Sequence, residues 1–105
     1  MERRKYHRLY LSLPMELQVR LQDGQEAWTS DGLLQNLSLG GVYFVCDTLP
    51  RIRRGDVGEF ILQVGGPGGA SRLRAAGQVK RVDHHVFGFT SYGVAVEFLS
   101  QPLAH

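Results

Sequence analysis

Polar and apolar residues alternate along most of this 105-residue chain, with a period close to two. Glu16-Leu17-Gln18-Val19-Arg20-Leu21-Gln22 alternates without a fault, as a strand does when one face is buried and the other wet. Asp23-Gly24 follows at once and signals a tight turn. Leu33–Leu37 and Val42–Cys46 read as strands flanking a turn over Ser38–Gly41. Further strands are predicted at Gly58–Val64, Leu73–Val82 and Tyr92–Leu99, the last containing the alternating Val94-Ala95-Val96-Glu97-Phe98. Gly65-Gly66-Pro67-Gly68-Gly69 separates two of these strands as a flexible hairpin loop. No segment shows a capped 3.6-residue apolar period, so no helix is predicted. Five or six short strands joined by turns predict an all-β fold, a small antiparallel barrel or sandwich. Closing the barrel would remove the edge strands that invite aggregation.

Composition narrows the class. The length suits one compact domain, and thirteen glycines suit many turns. A single cysteine, Cys46, cannot form an internal disulfide, which suits a reducing cytoplasm. Nothing resembles a signal peptide, and no apolar run approaches the roughly 20 residues that span a bilayer. The formal charge is only +2, from 12 Lys+Arg against 10 Asp+Glu, but ten of the cations are arginine. Arginine is the fork-shaped cation of recognition, whereas lysine is the commoner solvating one. The arginines cluster at residues 3–8, at Arg51-Ile52-Arg53-Arg54 and at Arg72-Leu73-Arg74. Small net charge with local basic clusters suits a small anionic ligand better than a long nucleic acid, whose partners carry a strongly basic face.

Several residues have ordinary readings. His84-His85 lacks a cysteine or acidic cluster at metal-ligand spacing and reads as a surface turn. Cys46 and Trp28 read as packed core or rim residues. Arg51, Arg53 and Arg54 read as a solvated loop, with partner docking the lesser reading. The Gly65–Gly69 loop lacks the Lys-Ser/Thr of a phosphate-binding P-loop. No paired carboxylates, Ser-His-Asp order or nucleophile elbow is visible, so no enzyme is expected and no catalytic residue is named.

Two segments carry chemistry. Arg3-Arg4-Lys5-Tyr6-His7-Arg8 offers several guanidinium forks, which match phosphates and the O6/N7 edge of guanine. Asn36-Leu37-Ser38-Leu39-Gly40-Gly41 offers an amide, a hydroxyl and a glycine turn. Singly, each is cheap. With ten arginines, roughly one Arg-x-x-x-Arg pair arises by chance, and this chain has one, Arg4 and Arg8. Residues four apart on an extended arm point to one side, roughly 13 Å apart, a span that suits two guanines and two phosphates.

In this order and on this all-β frame, the segments resemble the PilZ domain, the bacterial receptor module for cyclic di-GMP. Its signatures are Arg-x-x-x-Arg near the start and Asp/Asn-x-Ser-x-x-Gly on a six-stranded barrel, and the resemblance runs over residues 2–99. It implies a six-stranded antiparallel β-barrel over residues 9–99, with a flexible basic N-terminal arm (residues 1–8) and a short tail (residues 100–105). It implies that Arg4 and Arg8 wrap over cyclic di-GMP, that Asn36 bonds a guanine, and that Ser38 bonds phosphate or backbone. Gly41 would supply a turn where a Cβ would strain the backbone or crowd the ligand. Asn36 stands where many members carry Asp, and an amide lacks the charge-assisted bond of a carboxylate. Arg3 precedes the pair, at a position that bears on ligand stoichiometry in this family, and an arginine there resembles the two-molecule mode.

The expected function is a stand-alone cytoplasmic receptor that orders its arm on cyclic di-GMP and signals to another protein. That partner would belong to motility, pilus or polysaccharide machinery. No metal or other cofactor is expected. The C-terminal helix usual in the family is replaced by Ser100-Gln101-Pro102-Leu103-Ala104-His105, and Pro102 discourages a helix. The open barrel end is thus left for another surface, a homodimer partner among the candidates. Two other classes remain: a PilZ-like adaptor that binds only protein, and a small barrel for single-stranded nucleic acid.

Overall fold

The computed structural model describes residues 9–22, 27–65, 71–84, 91–100 and 103–104. They form seven strands: β1 (Leu9–Leu21), β2 (Trp28–Ser38), β3 (Gly41–Cys46), β4 (Val57–Val64), β5 (Ser71–His84), β6 (Tyr92–Phe98) and β7 (Leu103–Ala104). Neighbours run antiparallel in the order β4-β1-β2-β3-β6-β5, and β4–β5 pairing closes the ring. The result is the six-stranded antiparallel barrel that the sequence predicts.

Closure depends on the length of β5. Its first half, Ser71–Gln78, pairs with β4, and its second half, Gly77–His84, pairs with β6. The short strand β7 sits against β5 at Leu73 and Arg74, beyond the point where β6 stops at Phe98. The tail thus continues the path of β6 along β5.

Alternation becomes burial. Met15, Leu17 and Val19 on β1, Phe60 and Leu62 on β4, and Val94, Val96 and Phe98 on β6 point inward. Phe44, Phe60, Leu34, Leu62 and Val19 are the largest fully buried side chains, and no polar side chain is buried among the described residues. Trp28 and Cys46 lie in the core, as the sequence suggests. Ile52 does too, and it pins the β3–β4 loop. In that loop Asp56 Oδ2 accepts the Arg53 N–H at 2.8 Å, and Gly55, at φ +94°, donates its N–H to Val79 O. A left-handed backbone of this kind favours glycine.

Two strands begin earlier than alternation alone predicts. β1 runs through Leu11-Ser12-Leu13-Pro14 instead of starting at Glu16. Pro14 is tolerated because its polar backbone side faces the end of β4. Its carbonyl accepts the Gly65 N–H there, and the β1–β4 ladder stops at Met15–Val64, so the missing proline N–H breaks no ladder bond. β2 starts at Trp28, and its polar Thr29-Ser30-Asp31 stretch is held as strand by β1 through Val19–Trp28, Gln18–Thr29 and Leu17–Ser30. Neighbouring strands, not local propensity, make it β. Residues 23–24 and 66–69, assigned to turns above, lie outside the described residues.

The Cys46 thiol is 1 % exposed and donates weakly to the carbonyls of Thr48 and Tyr92 at 3.6 and 3.7 Å. Burial, helped by the charge of Asp47, pushes it up to about 11 from an ordinary 9.0. A raised thiol value means that the unfolded chain loses the proton first as pH climbs. The stability linked to the neutral thiol is therefore complete below the ordinary value and is lost as pH rises through about 11. Urea titrations should show stability falling by about 2–3 kcal/mol over that window. A Cys46→Ala variant should start lower, for the lost packing, but show a shallower fall. Equal slopes in the two proteins would rule out the thiol as the cause.

Candidate functional site

The face around Asn36 is built by a fault in the alternation. On β2, Leu34 pairs with Phe44 of β3, but the next pair is Asn36–Tyr43, which leaves Gln35 as an extra residue. Without that bulge Leu34 and Asn36, two apart, would share a face. With it, Leu34 points into the core, Asn36 lies level with the half-buried Tyr43, and Leu37 returns to pack against the core. The sequence carries this signal: inward apolar residues at 34 and 37 are three apart, not two.

β5 repeats the device. Val79 pairs with Val96, but the next pair is Arg81–Ala95, leaving Lys80 as the extra residue. Val79 and Val82 both pack on the core, again three apart, and Arg81 emerges between them on the outside. One lateral row therefore runs Asn36 (β2), Tyr43 (β3), Ala95 (β6), Arg81 (β5).

The next row begins at the hairpin. Ser38 closes β2 opposite Gly41, the first residue of β3, with only Leu39 and Gly40 between them. Ser38 Oγ accepts the Gly40 N–H at 3.1 Å, so one lone pair tightens the turn and that bond does not use the hydroxyl proton. Gly41 is not in the left-handed region; among the described glycines only Gly55 and Gly65 are. A Cβ on Gly41 would instead stand 2.3 Å from Val96 O on β6. Its small size serves the close approach of β3 to β6, in place of the turn strain expected above.

Beyond Ala95, the row ends in a polar cluster. The Tyr43 hydroxyl crosses β6 to donate to Asp83 Oδ2 at 3.1 Å. Arg81 Nε donates to both Asp83 oxygens at 2.9 and 3.0 Å, and its guanidinium carbon lies 5.7 Å from the Tyr43 ring centre. Burial, then the hydrogen bond and charge of Asp83, raise the Tyr43 phenol above its ordinary value, against the opposing pull of Arg81. Alternation alone did not single out Tyr43, Arg81 or Asp83, and the three-residue apolar spacing was the signal for Arg81.

The sequence-assigned residues divide. Asn36, Ser38 and Gly41 come together on the outer face at one hairpin, and Arg3, Arg4 and Arg8 lie outside the described residues. His84 ends β5 with its ring edge-on to Tyr92 at 5.4 Å, a packing contact. A groove of about 640 Å³ lies elsewhere, over β1, β2 and β4, and its lining includes Glu16, Asp31, Asp47 and Ile61. Three carboxylates against one guanidinium, Arg72, make it a poor seat for a phosphate. No helix among the described residues is long and apolar enough to cross a membrane.

The sequence profile of the PilZ domain matches residues 2–105. This chain belongs to the PilZ domain family. Two solved structures share the fold of this PilZ domain. One is the Bacillus subtilis inhibitor of motility MotI/DgrA, with a TM-score of 0.69 and 18 % identity, covering 96 % of this chain and 44 % of that one. The chain thus spans less than half the length of MotI. The other is the PilZ domain of YcgR from Escherichia coli, solved with c-di-GMP, with a TM-score of 0.67 and 23 % identity, covering 94 % of this chain and 79 % of that one. Likeness at these identities speaks to the fold. No curated protein matches the chain.

Proposed function

We propose that this PilZ domain is a receptor for cyclic di-GMP, with the ligand lying on the outer barrel face beside the Ser38–Gly41 hairpin. The observation that carries the reading is the bulge at Gln35. It turns the Asn36 amide outward, level with Tyr43 and close to the Ser38 hydroxyl, on a barrel like that of the ligand-bound YcgR domain. The amide presents a donor and an acceptor side by side, the pattern that reads the edge of a base. Arg3, Arg4 and Arg8 supply the opposing charge. Their guanidinium forks take phosphate oxygens and guanine O6/N7 from the solvent side, while Asn36 and Ser38 hold the ligand from the barrel side.

The signal follows from charge. Arginines in one short arm repel one another, and two phosphates between them remove that penalty, so the ligand favours the arm folded onto the barrel. The changed surface is read by another protein, and the description of MotI as an inhibitor of motility makes motility machinery the first class to test.

Isothermal calorimetry with cyclic di-GMP tests the reading. The wild-type chain should release heat with up to two ligand molecules per chain, and Arg4→Ala should reduce binding beyond detection at micromolar ligand. No heat from the wild-type chain at high micromolar ligand would overturn it. Sedimentation with and without ligand reports whether a second copy takes part.

A further inference from the structure

We propose that this chain pairs with a second copy of itself through a two-fold surface. The arginine loop between β3 and β4 of each copy sits in the acidic groove over β1, β2 and β4 of the other. The pairing stands apart from nucleotide binding and goes beyond the function argued above.

Three observations point to it. First, the groove carries negative charge that the chain leaves unanswered. Glu16 on β1 stands directly across from Asp31 on β2, Asp47 lines the same groove, and Arg72 is its one guanidinium. Like charges directly opposite on neighbouring strands destabilise a sheet. The ion pairs among the described residues fall elsewhere, at Arg74–Glu59, Lys80–Glu97 and Arg81–Asp83. Among the described residues no three His, Cys, Asp or Glu side chains form a metal-holding group. The complement is therefore a set of cations spread along a chain, not one small ion.

Second, the loop carries the opposite charge in a fixed shape. Arg51, Arg53 and Arg54 are exposed, while Ile52 between them is buried in the core. The Asp56 carboxylate and N–H both bond the Arg53 backbone, at 2.8 and 3.0 Å, and the Gly55 N–H reaches Val79 O at 2.8 Å. A loop held this way has little backbone freedom left to lose on binding. Its guanidinium forks match carboxylates bidentately.

Third, the two surfaces share a border. Asp47 and Thr48 line the groove and also open the loop, yet none of the three arginines lines the groove of its own chain. The exposed Leu49 comes next, and Ile61 gives the groove an apolar floor to receive it. A patch that holds a groove beside the groove's complement is self-complementary. Under a two-fold axis each copy gives one loop and receives one, so the contact closes at two chains.

Sedimentation equilibrium of the full chain tests this, with thermal melts to establish that each variant is folded. At low salt the wild-type chain should form dimers as its concentration rises towards millimolar, and added salt should dissociate them. Reversing the groove (Glu16→Lys with Asp31→Lys) or the loop (Arg53→Glu with Arg54→Glu) should weaken the dimer more than about tenfold, because like charges across an interface repel. Mixing the two reversed proteins should restore pairing, since each then offers what the other lacks. A single chain carrying all four substitutions should pair with itself again. A wild-type chain that stays monomeric near millimolar concentration overturns the proposal. Dimers that survive both reversals place the contact elsewhere, and growth into longer assemblies breaks the two-fold arrangement; either result overturns it. If both reversed proteins are folded and their mixture stays monomeric, the match of groove to loop is wrong.

Discussion

Gly41→Ala should destabilise the barrel by about 2–3 kcal/mol, at the upper part of the range for forcing an extra methyl into a packed interior. The added Cβ would lie 2.3 Å from the Val96 carbonyl oxygen, a backbone atom at the hairpin end of the β3–β6 ladder, with the Glu97 Cα and the Val96 carbonyl carbon both at 3.4 Å. A flexible side chain could swing aside; a paired backbone cannot without loosening the Val42–Val96 and Gly41–Glu97 neighbours. Urea denaturation should therefore show a lower midpoint with the slope retained. Gly41→Val, with two more methyls at the same place, should be worse. The motif position has been assigned to ligand accommodation, and this experiment separates the two roles. An alanine variant as stable as wild type, yet weak for cyclic di-GMP, would return Gly41 to the ligand and overturn the packing account.

Asn36→Ala should do the opposite. The residue is half-buried on the outer face, and no hydrogen bond among the described residues uses its amide. Removing the amide leaves no buried group unpaired, so stability should stay within about 0.5 kcal/mol, as for a surface substitution away from special features. Binding of cyclic di-GMP should fall roughly 10–100-fold, the cost of losing one well-made contact to a base edge. Asn36→Asp should tighten binding instead, since a carboxylate accepts two N–H bonds of guanine with charge assistance. Calorimetry on both variants, with thermal melts alongside, decides the matter. If Asn36→Ala melts early and binds normally, the residue holds the bulge and does not hold the ligand.

The two experiments bear on how a six-residue motif divides its labour. Asn36 faces outward, the Ser38 hydroxyl accepts the Gly40 N–H in the turn, and Gly41 abuts the β6 backbone. If Gly41→Ala loses stability and Asn36→Ala loses only binding, fold and function are held by neighbouring residues of one hairpin. A mutation scan that measured binding alone would not separate the two roles.

The strands were legible because burial of one face writes itself into the chain. Leu17 and Val19 on β1, and Val94, Val96 and Phe98 on β6, stand at every second position, and each is in the core. Legibility failed where the strand was irregular or held by its neighbours. The polar Thr29-Ser30-Asp31 stretch is β because β1 pairs with it. Leu103–Ala104 is β because β6 stops at Phe98 and leaves the edge of β5 open. Pairing energy from another strand leaves no local signature.

The same division holds for the site. The chain alone determined the all-β class, the core positions and the two chemistry-bearing segments, because residue type and period are local properties. It also held, unread, the three-residue spacings Leu34–Leu37 and Val79–Val82 that mark the bulges. Only the tertiary structure decided that these two irregularities, more than 40 residues apart in sequence, fall in one lateral row and aim Asn36 and Arg81 at the same surface. Register between strands is set by closing the barrel on its core. A slip of one residue exchanges every inward side chain for an outward one, so whole-barrel packing, not any segment, fixes which polar groups meet outside.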